Sequence, residues 1–213
     1  MKQTLHKRFS QFSIDYESLL LENQTALLED SWRRFIAKAS QIWIHHYRQM
    51  TGGEANIYEF QADVGFFTLF DLAAERLSLD PDEGIPETED RVVGVHGRSH
   101  TTGKARDTNR QRGFIGPTQK VFPENYEKGH YIAHSMGGGM DVNLFPQAKP
   151  LNRGWSEAGK RYRTMENHCA DNPGTHCFVR PLYQDHTWIP AVLEFGMMRK
   201  DASLWVEWFE NSP

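Results

Sequence analysis

The segment YEKGHYIAHSMGGGMDVNLFPQAKPLNRGWSEAGKRYRTMEN, from Tyr126 to Asn167, decides how this chain is read. It contains a Gly-His pair after a basic residue, a triple glycine, two asparagines nine residues apart and a glutamate near its end. Taken singly, each feature has an ordinary explanation. A histidine after glycine suits a turn, Asn143 and Asn152 suit turns and caps, the glycines at 137–139 suit a flexible turn, and Glu166 suits a helix surface. The order of the features carries more information than any one of them. The segment reads as a strand at the Gly-His pair, a loop and then a helix from about Arg153 to His168.

Working outward, the rest of the chain is that of a polar globular protein. It has 213 residues, 38% hydrophobic and 24% charged, enough for one good-sized core. No apolar run approaches the roughly 20 residues that span a bilayer. The N-terminal MKQTLHKRFSQFSIDYES has basic residues with no apolar stretch behind them, so no secretory signal is expected and the cytoplasm is the expected location. Two cysteines are too few for a disulfide scaffold.

Charge is unevenly distributed. Residues 1–90 hold 8 Lys+Arg against 16 Asp+Glu, a net of −8, whereas residues 91–165 hold 13 against 5, a net of +8. Residues 166–213 hold 3 against 7. The basic third contains the opening segment, and a phosphate backbone would be drawn there by counterion release.

Apolar residues recur every three or four positions from about Phe12 to Met50, which predicts helix, with TGG at 51–53 as its stop. A second amphipathic helix is expected over Ile57–Leu79. DPDEGIPETED (80–90), with two prolines and six acids, reads as a linker. Two regions follow from this: an acidic, helical region over 1–90 and a second domain over 91–213. Within the latter, RVVGVHGR (91–98) reads as a strand and the basic, glycine-containing 99–120 as a long loop. HCFVRPLYQDHTWIPAVLEFGM reads as two strands around a YQDH turn, and SLWVEWFEN as a short helix or strand. The fold class expected is α+β with antiparallel strands.

Lys128-Gly129-His130, then Asn143-Leu-Phe-Pro146-Gln147, then Leu151-Asn152-Arg153-Gly154, then Glu166, in this order, resemble the DNA/RNA non-specific endonucleases of the ββα-metal (His-Me finger) superfamily. The resemblance covers roughly residues 90–197, and nothing before residue 90 takes part. Two positions depart from it: Lys128 stands where arginine is usual, and His134 where an acid is common.

The resemblance implies a metal-dependent, sequence-tolerant nuclease acting on DNA, with RNA as a second substrate, on a ββα-metal core that binds the cation through a helix. His130 would be the general base, since a neutral imidazole can take a proton from water near neutral pH. Asn152 would offer its amide oxygen to one Mg²⁺, with Mn²⁺ able to substitute, because a cation that keeps most of its waters needs few protein ligands. Asn143 would hold this geometry through hydrogen bonds, and Lys128 would contact phosphate without the bidentate fork of an arginine. Glu166, 14 residues beyond Asn152, falls on the same face of a continuous helix and would accept hydrogen bonds from metal-bound water. Arg91, Arg98, Arg112 and Arg153 are the candidates for nucleic-acid contact and transition-state charge.

Three further expectations concern the remainder. His168-Cys169 and His176-Cys177 allow structural zinc, a disulfide or free thiols, because the spacing matches no finger pattern. Trp32, Phe35, Ile42, Trp43 and Ile44, with Phe66, Phe67, Leu69 and Phe70, predict a helical core that packs on the nuclease domain. Alternatively, this acidic region docks an inhibitor or activator protein, or mediates self-association, as a toxin or defence effector would require. The competing function is a nucleic-acid-binding or inhibitory protein that keeps the fold with a degraded site.

Overall fold

A computed structural model describes residues 7–53, 55–72, 90–102, 109, 122–185 and 187–213. After a 3₁₀ turn at Ser10–Phe12, the elements are α1 (Tyr16–Glu22), α2 (Leu28–Thr51), β1 (Ile57–Asp63), β2 (Phe66–Asp71) and β3 (Arg91–Arg98). They continue with β4 (Tyr126–His130), β5 (Leu144–Ala148), α3 (Lys149–Asn152), α4 (Glu157–Asp171), β6 (His176–Leu182), β7 (Val192–Met198) and β8 (Leu204–Glu210).

Six strands form one antiparallel sheet in the order β1-β2-β3-β6-β7-β8, and β4 and β5 form a separate two-stranded ribbon. The sheet is covered on both faces. On one side α2 lays Trp32, Phe35, Ile36, Ala39, Trp43 and Tyr47, spaced three and four apart, against Leu69, Val93 and Phe178. On the other, α4 contributes Tyr162, Met165 and Cys169, which meet Val179, Leu193, Phe195 and Phe209. Phe178 and Val179 are neighbours on β6 and serve opposite cores, as the two-residue period of a strand requires. Every residue of β6 and β7 is buried for this reason.

The helix expected over Ile57–Leu79 is corrected. Residues 57–71 form the β1–β2 hairpin, and residues 73–79 lie outside those described, as does nearly all of the expected linker and most of the basic loop. Phenylalanines and leucines at several adjacent positions satisfy helical and strand periods alike. The signal that separates the two is Val64-Gly65, where Gly65 takes the left-handed conformation (φ 81°) that a tight turn needs. Because β2 pairs with β3 from Phe66↔Gly97 to Asp71↔Arg91, the sheet runs across the boundary expected at residue 90.

A buried polar cluster joins the helices to the sheet. Arg180 on β6 donates to Glu194 on β7 at 3.0 Å, and both side chains are 1% exposed. Glu194 also accepts from the Tyr16 hydroxyl and the Trp208 indole, and Tyr16 in turn accepts from Trp43. The second guanidinium nitrogen of Arg180 donates to His46 Nδ1 at 2.8 Å. A buried charge pair with further hydrogen bonds tolerates the loss of no single partner.

Candidate active site

The ribbon is the centre of the opening segment. His130 ends β4 opposite Leu144, Lys128 faces Pro146, and Glu127 faces Gln147. Alternation sets Lys128 and His130 on one face of β4, and Glu127 and Gly129 on the other. His130 is buried and Lys128 is partly so.

Asn143 braces the turn that follows His130. Its Oδ1 accepts from the Ile132 amide at 2.8 Å, and its Nδ2 donates to the Ile132 carbonyl at 2.7 Å and to the Gly139 carbonyl at 3.0 Å. Its own carbonyl accepts from Tyr131. Buried asparagine with its amide so fully used locks the backbone it touches.

Asn152 is the last residue of α3. Its Nδ2 donates to Glu127 Oε1 at 2.8 Å, while Arg153 donates to both oxygens of the same carboxylate from Nε and Nη2. An ionised carboxylate only accepts, so the nitrogen of the Asn152 amide faces Glu127 and the Oδ1 is directed elsewhere. Burial raises the Glu127 carboxyl and the bonds from Arg153 and Asn152 lower it, with a net shift downward. Arg163 of α4 donates to the Asn152 carbonyl at 3.0 Å.

The single helix expected to carry both Asn152 and Glu166 is corrected. Gly154 takes φ 68° and ends the first segment, and Ser156 caps α4 by accepting from the Gly159 amide. The shared-face argument therefore fails, since Asn152 and Glu166 lie on different helices. Gly159 is required by close approach: a Cβ there would run into the Pro150 carbonyl, so the glycine lets α3 and α4 touch. Glu166 lies in the third turn of α4, where burial pushes its carboxyl up to about 7 against the opposing pull of Arg163.

The arginines separate into different roles. Arg91 is 1% exposed, lies over the Tyr183 ring and donates to the Asp185 carbonyl, a position closed to a phosphate backbone. Arg98 pairs with Glu29 at 3.1 Å and reaches the Gly174 carbonyl. Arg153 stacks on the largely exposed Trp155 while bound to Glu127. Arg112 lies outside the described residues. His134 sits in a 3₁₀ turn with Nδ1 3.3 Å from the Gly138 carbonyl oxygen. An open cleft of about 540 Å³ is lined by Phe122, Tyr126, Glu127, Lys149 and Arg153, among others, and the Glu127 in its wall is the partner of Asn152.

His168, Cys169, His176 and Cys177 do not assemble a zinc site. Cys169 donates to the Met197 sulfur at 3.4 Å, and contact with Cys169 together with burial raises the Cys177 thiol. Both thiols are free, while His176 stacks on Trp32 and approaches Glu29. Among the described residues no three His, Cys, Asp or Glu side chains are grouped to hold a metal ion. A hydrated cation on one amide oxygen needs no such group, and the Asn152 amide, bonded to Glu127 through its nitrogen, keeps its oxygen for that use.

Two residues of this site lie outside the sequence-based set. Glu127 was visible as an acid directly before Lys-Gly-His. Asp63, which accepts from the Gly139 amide at 2.9 Å, left no sequence signal.

No protein-family model matches the chain, and no curated protein matches it. Among solved structures, that of Sda1 nuclease with bound zinc ion superposes with a TM-score of 0.38 at 14% identity, over 78% of this chain and 81% of that one. At that level of superposition the two folds are not shown to be the same. The fold that stands is α+β with an antiparallel sheet. Among the described residues no helix is long and apolar enough to cross a membrane.

Proposed function

We propose that the protein is a metal-dependent, sequence-tolerant endonuclease that hydrolyses phosphodiester bonds in DNA, with RNA as a second substrate. In this reading β4, β5 and the following helices are a ββα-metal core. One observation carries it. Asn152 is held through its amide nitrogen by Glu127, which leaves a neutral oxygen for a cation, and Glu127 belongs to β4, the strand that His130 ends, with its side chain on the other face of that strand.

His130 takes a proton from the attacking water as its oxygen bonds to phosphorus and the bond to the departing sugar oxygen breaks. Asn143 keeps the backbone after His130 fixed. Lys128, on the face of His130, attracts the phosphate, and Lys149 and Arg153 line the cleft by which a strand enters. A divalent cation, Mg²⁺ with Mn²⁺ as substitute, would be held by Asn152 and would supply charge stabilisation at the phosphoryl and leaving oxygens. Glu166 would accept from water on that cation. An activity of this kind suits a toxin or defence effector restrained by a partner protein.

The test is nicking of supercoiled plasmid by the full chain with Mg²⁺, with and without EDTA, comparing wild type with His130→Ala and Asn152→Ala. Cleavage that needs both side chains and the metal is expected. A shift in plasmid mobility with no nicking would instead assign a binding protein, and single-stranded RNA in a parallel reaction reports the second substrate.

A further inference from the structure

We infer that Asp63, at the end of β1 and outside the segment that resembles a nuclease, is a positioning residue for His130. The inference rests on the nuclease reading for its kinetic consequence and on hydrogen bonds for its physical basis.

The stretch Gly137-Gly138-Gly139 lies between His130 and Asn143 and has no side chains with which to hold itself in place. It is held from outside. Gly139 is gripped through both polar groups of its backbone, its amide donating to Asp63 Oδ2 at 2.9 Å and its carbonyl accepting from Asn143 Nδ2 at 3.0 Å. The same Asn143 amide clasps the amide and carbonyl of Ile132, two residues beyond His130. Asp63, Gly139, Asn143 and Ile132 are thus joined in series, from the hairpin to the backbone two residues beyond His130.

The hairpin end is itself anchored. The Gly65 carbonyl accepts from the Arg98 amide at 3.0 Å, and two residues on, the His100 amide donates to the Met136 carbonyl at 3.0 Å. The end of β3 therefore holds the hairpin, and the residue two beyond it holds the turn before the glycines. A Cβ at residue 139 would run into the Asp63 carboxylate, so this glycine and this aspartate fit one another. A carboxylate accepting a backbone amide makes a charge-assisted bond, stronger than a neutral acceptor would make.

Asp63→Ala removes the acceptor, and Asp63→Asn restores an oxygen without the charge. In the full-length protein at saturating Mg²⁺, Asp63→Ala should lower kcat for plasmid nicking about 10-fold with KM within about twofold of wild type, because small displacements of a reacting group cost rate more than binding. Asp63→Asn should recover most of that loss. The second measurement needs no activity: the imidazole NMR resonance of His130, assigned by its disappearance in His130→Ala, should shift in Asp63→Ala and return towards its original position in Asp63→Asn. A His130 resonance unmoved in folded Asp63→Ala overturns the inference, as does an unchanged kcat. If wild type itself does not cleave while the resonance follows residue 63 as described, the nuclease reading fails and the positioning contact stands.

Discussion

Asn152 donates its amide nitrogen to Glu127 at 2.8 Å, and Arg153 occupies the same carboxylate through its fork. One strand residue thus fixes two successive residues at the end of α3. The orientation of the Asn152 oxygen is a consequence of Glu127, not of the asparagine alone.

Replacing Glu127 therefore frees the Asn152 amide to rotate. Glu127→Ala is expected to raise the Mg²⁺ concentration for half-maximal nicking by about 10- to 100-fold, the usual effect of losing a group that orients a metal ligand. A Mg²⁺ titration of plasmid cleavage measures it. An unchanged midpoint would show that Asn152 is oriented without Glu127.

Glu166 should affect stability and activity in opposite directions. Its folded-state pKa is raised from 4.5 to about 7, so the folded protein holds a proton that the unfolded chain has already lost in this window. The penalty is absent below pH 4.5, grows as pH rises and is complete above 7. Glu166→Gln should match wild type in acid and, because the side chain is only half-buried and solvent screens part of the full shift, be more stable by roughly 2 kcal/mol at pH 8 without divalent metal. Nicking should fall in the same variant. Thermal melts across pH and the plasmid assay together decide it.

His46 has the reverse linkage. Burial, Arg180 and His45 depress its pKa from 6.5 to about 4, consistent with a neutral ring that accepts from Arg180. Stability from this source is complete above pH 6.5 and declines as pH falls towards 4, since the unfolded chain takes up the proton first. Because the ring is only partly buried, the loss should be about 1 kcal/mol. His46→Gln offers an uncharged acceptor to Arg180, so its melting temperature should fall less between pH 7 and 4.5.

Residues 91–213 alone should not fold. Removing 1–90 strips β1 and β2 from the sheet edge, uncovers Val93 and Phe178, and takes Tyr16 and His46 from the Arg180–Glu194 pair. The expected result is an expanded chain with no cooperative melt in near-ultraviolet circular dichroism. A sharp melt of the fragment would make the N-terminal region an independent unit.

β4, the body of α4 and the β6–β7 pair were legible in the sequence because local pattern specifies them: a Gly-His strand, a run of helix formers after Arg153 and apolar runs flanking a turn. Asn143 was singled out only by the resemblance, as the first residue of Asn-Leu-Phe-Pro-Gln. The hairpin of residues 57–71 was not, since Phe66, Phe67, Leu69 and Phe70 fit helical spacing until the left-handed Gly65 is given weight. The break between Asn152 and Glu166 depended on Gly154 and Ser156, which outweighed the helix formers around them. Arg91 looked like a free cation because sequence cannot show that Tyr183 covers it. Asp63 was beyond reach, being 76 residues from the amide it holds.

The two sulfhydryls give the molecule an internal clock. Cys169 and Cys177 are both 0% exposed and set against Met197 beneath α4, and reagents reach only sulfur that has met solvent. Alkylation by iodoacetamide should therefore proceed at the pace at which α4 lifts from the sheet, which makes a mass spectrum taken over time a direct record of how often the closed form opens.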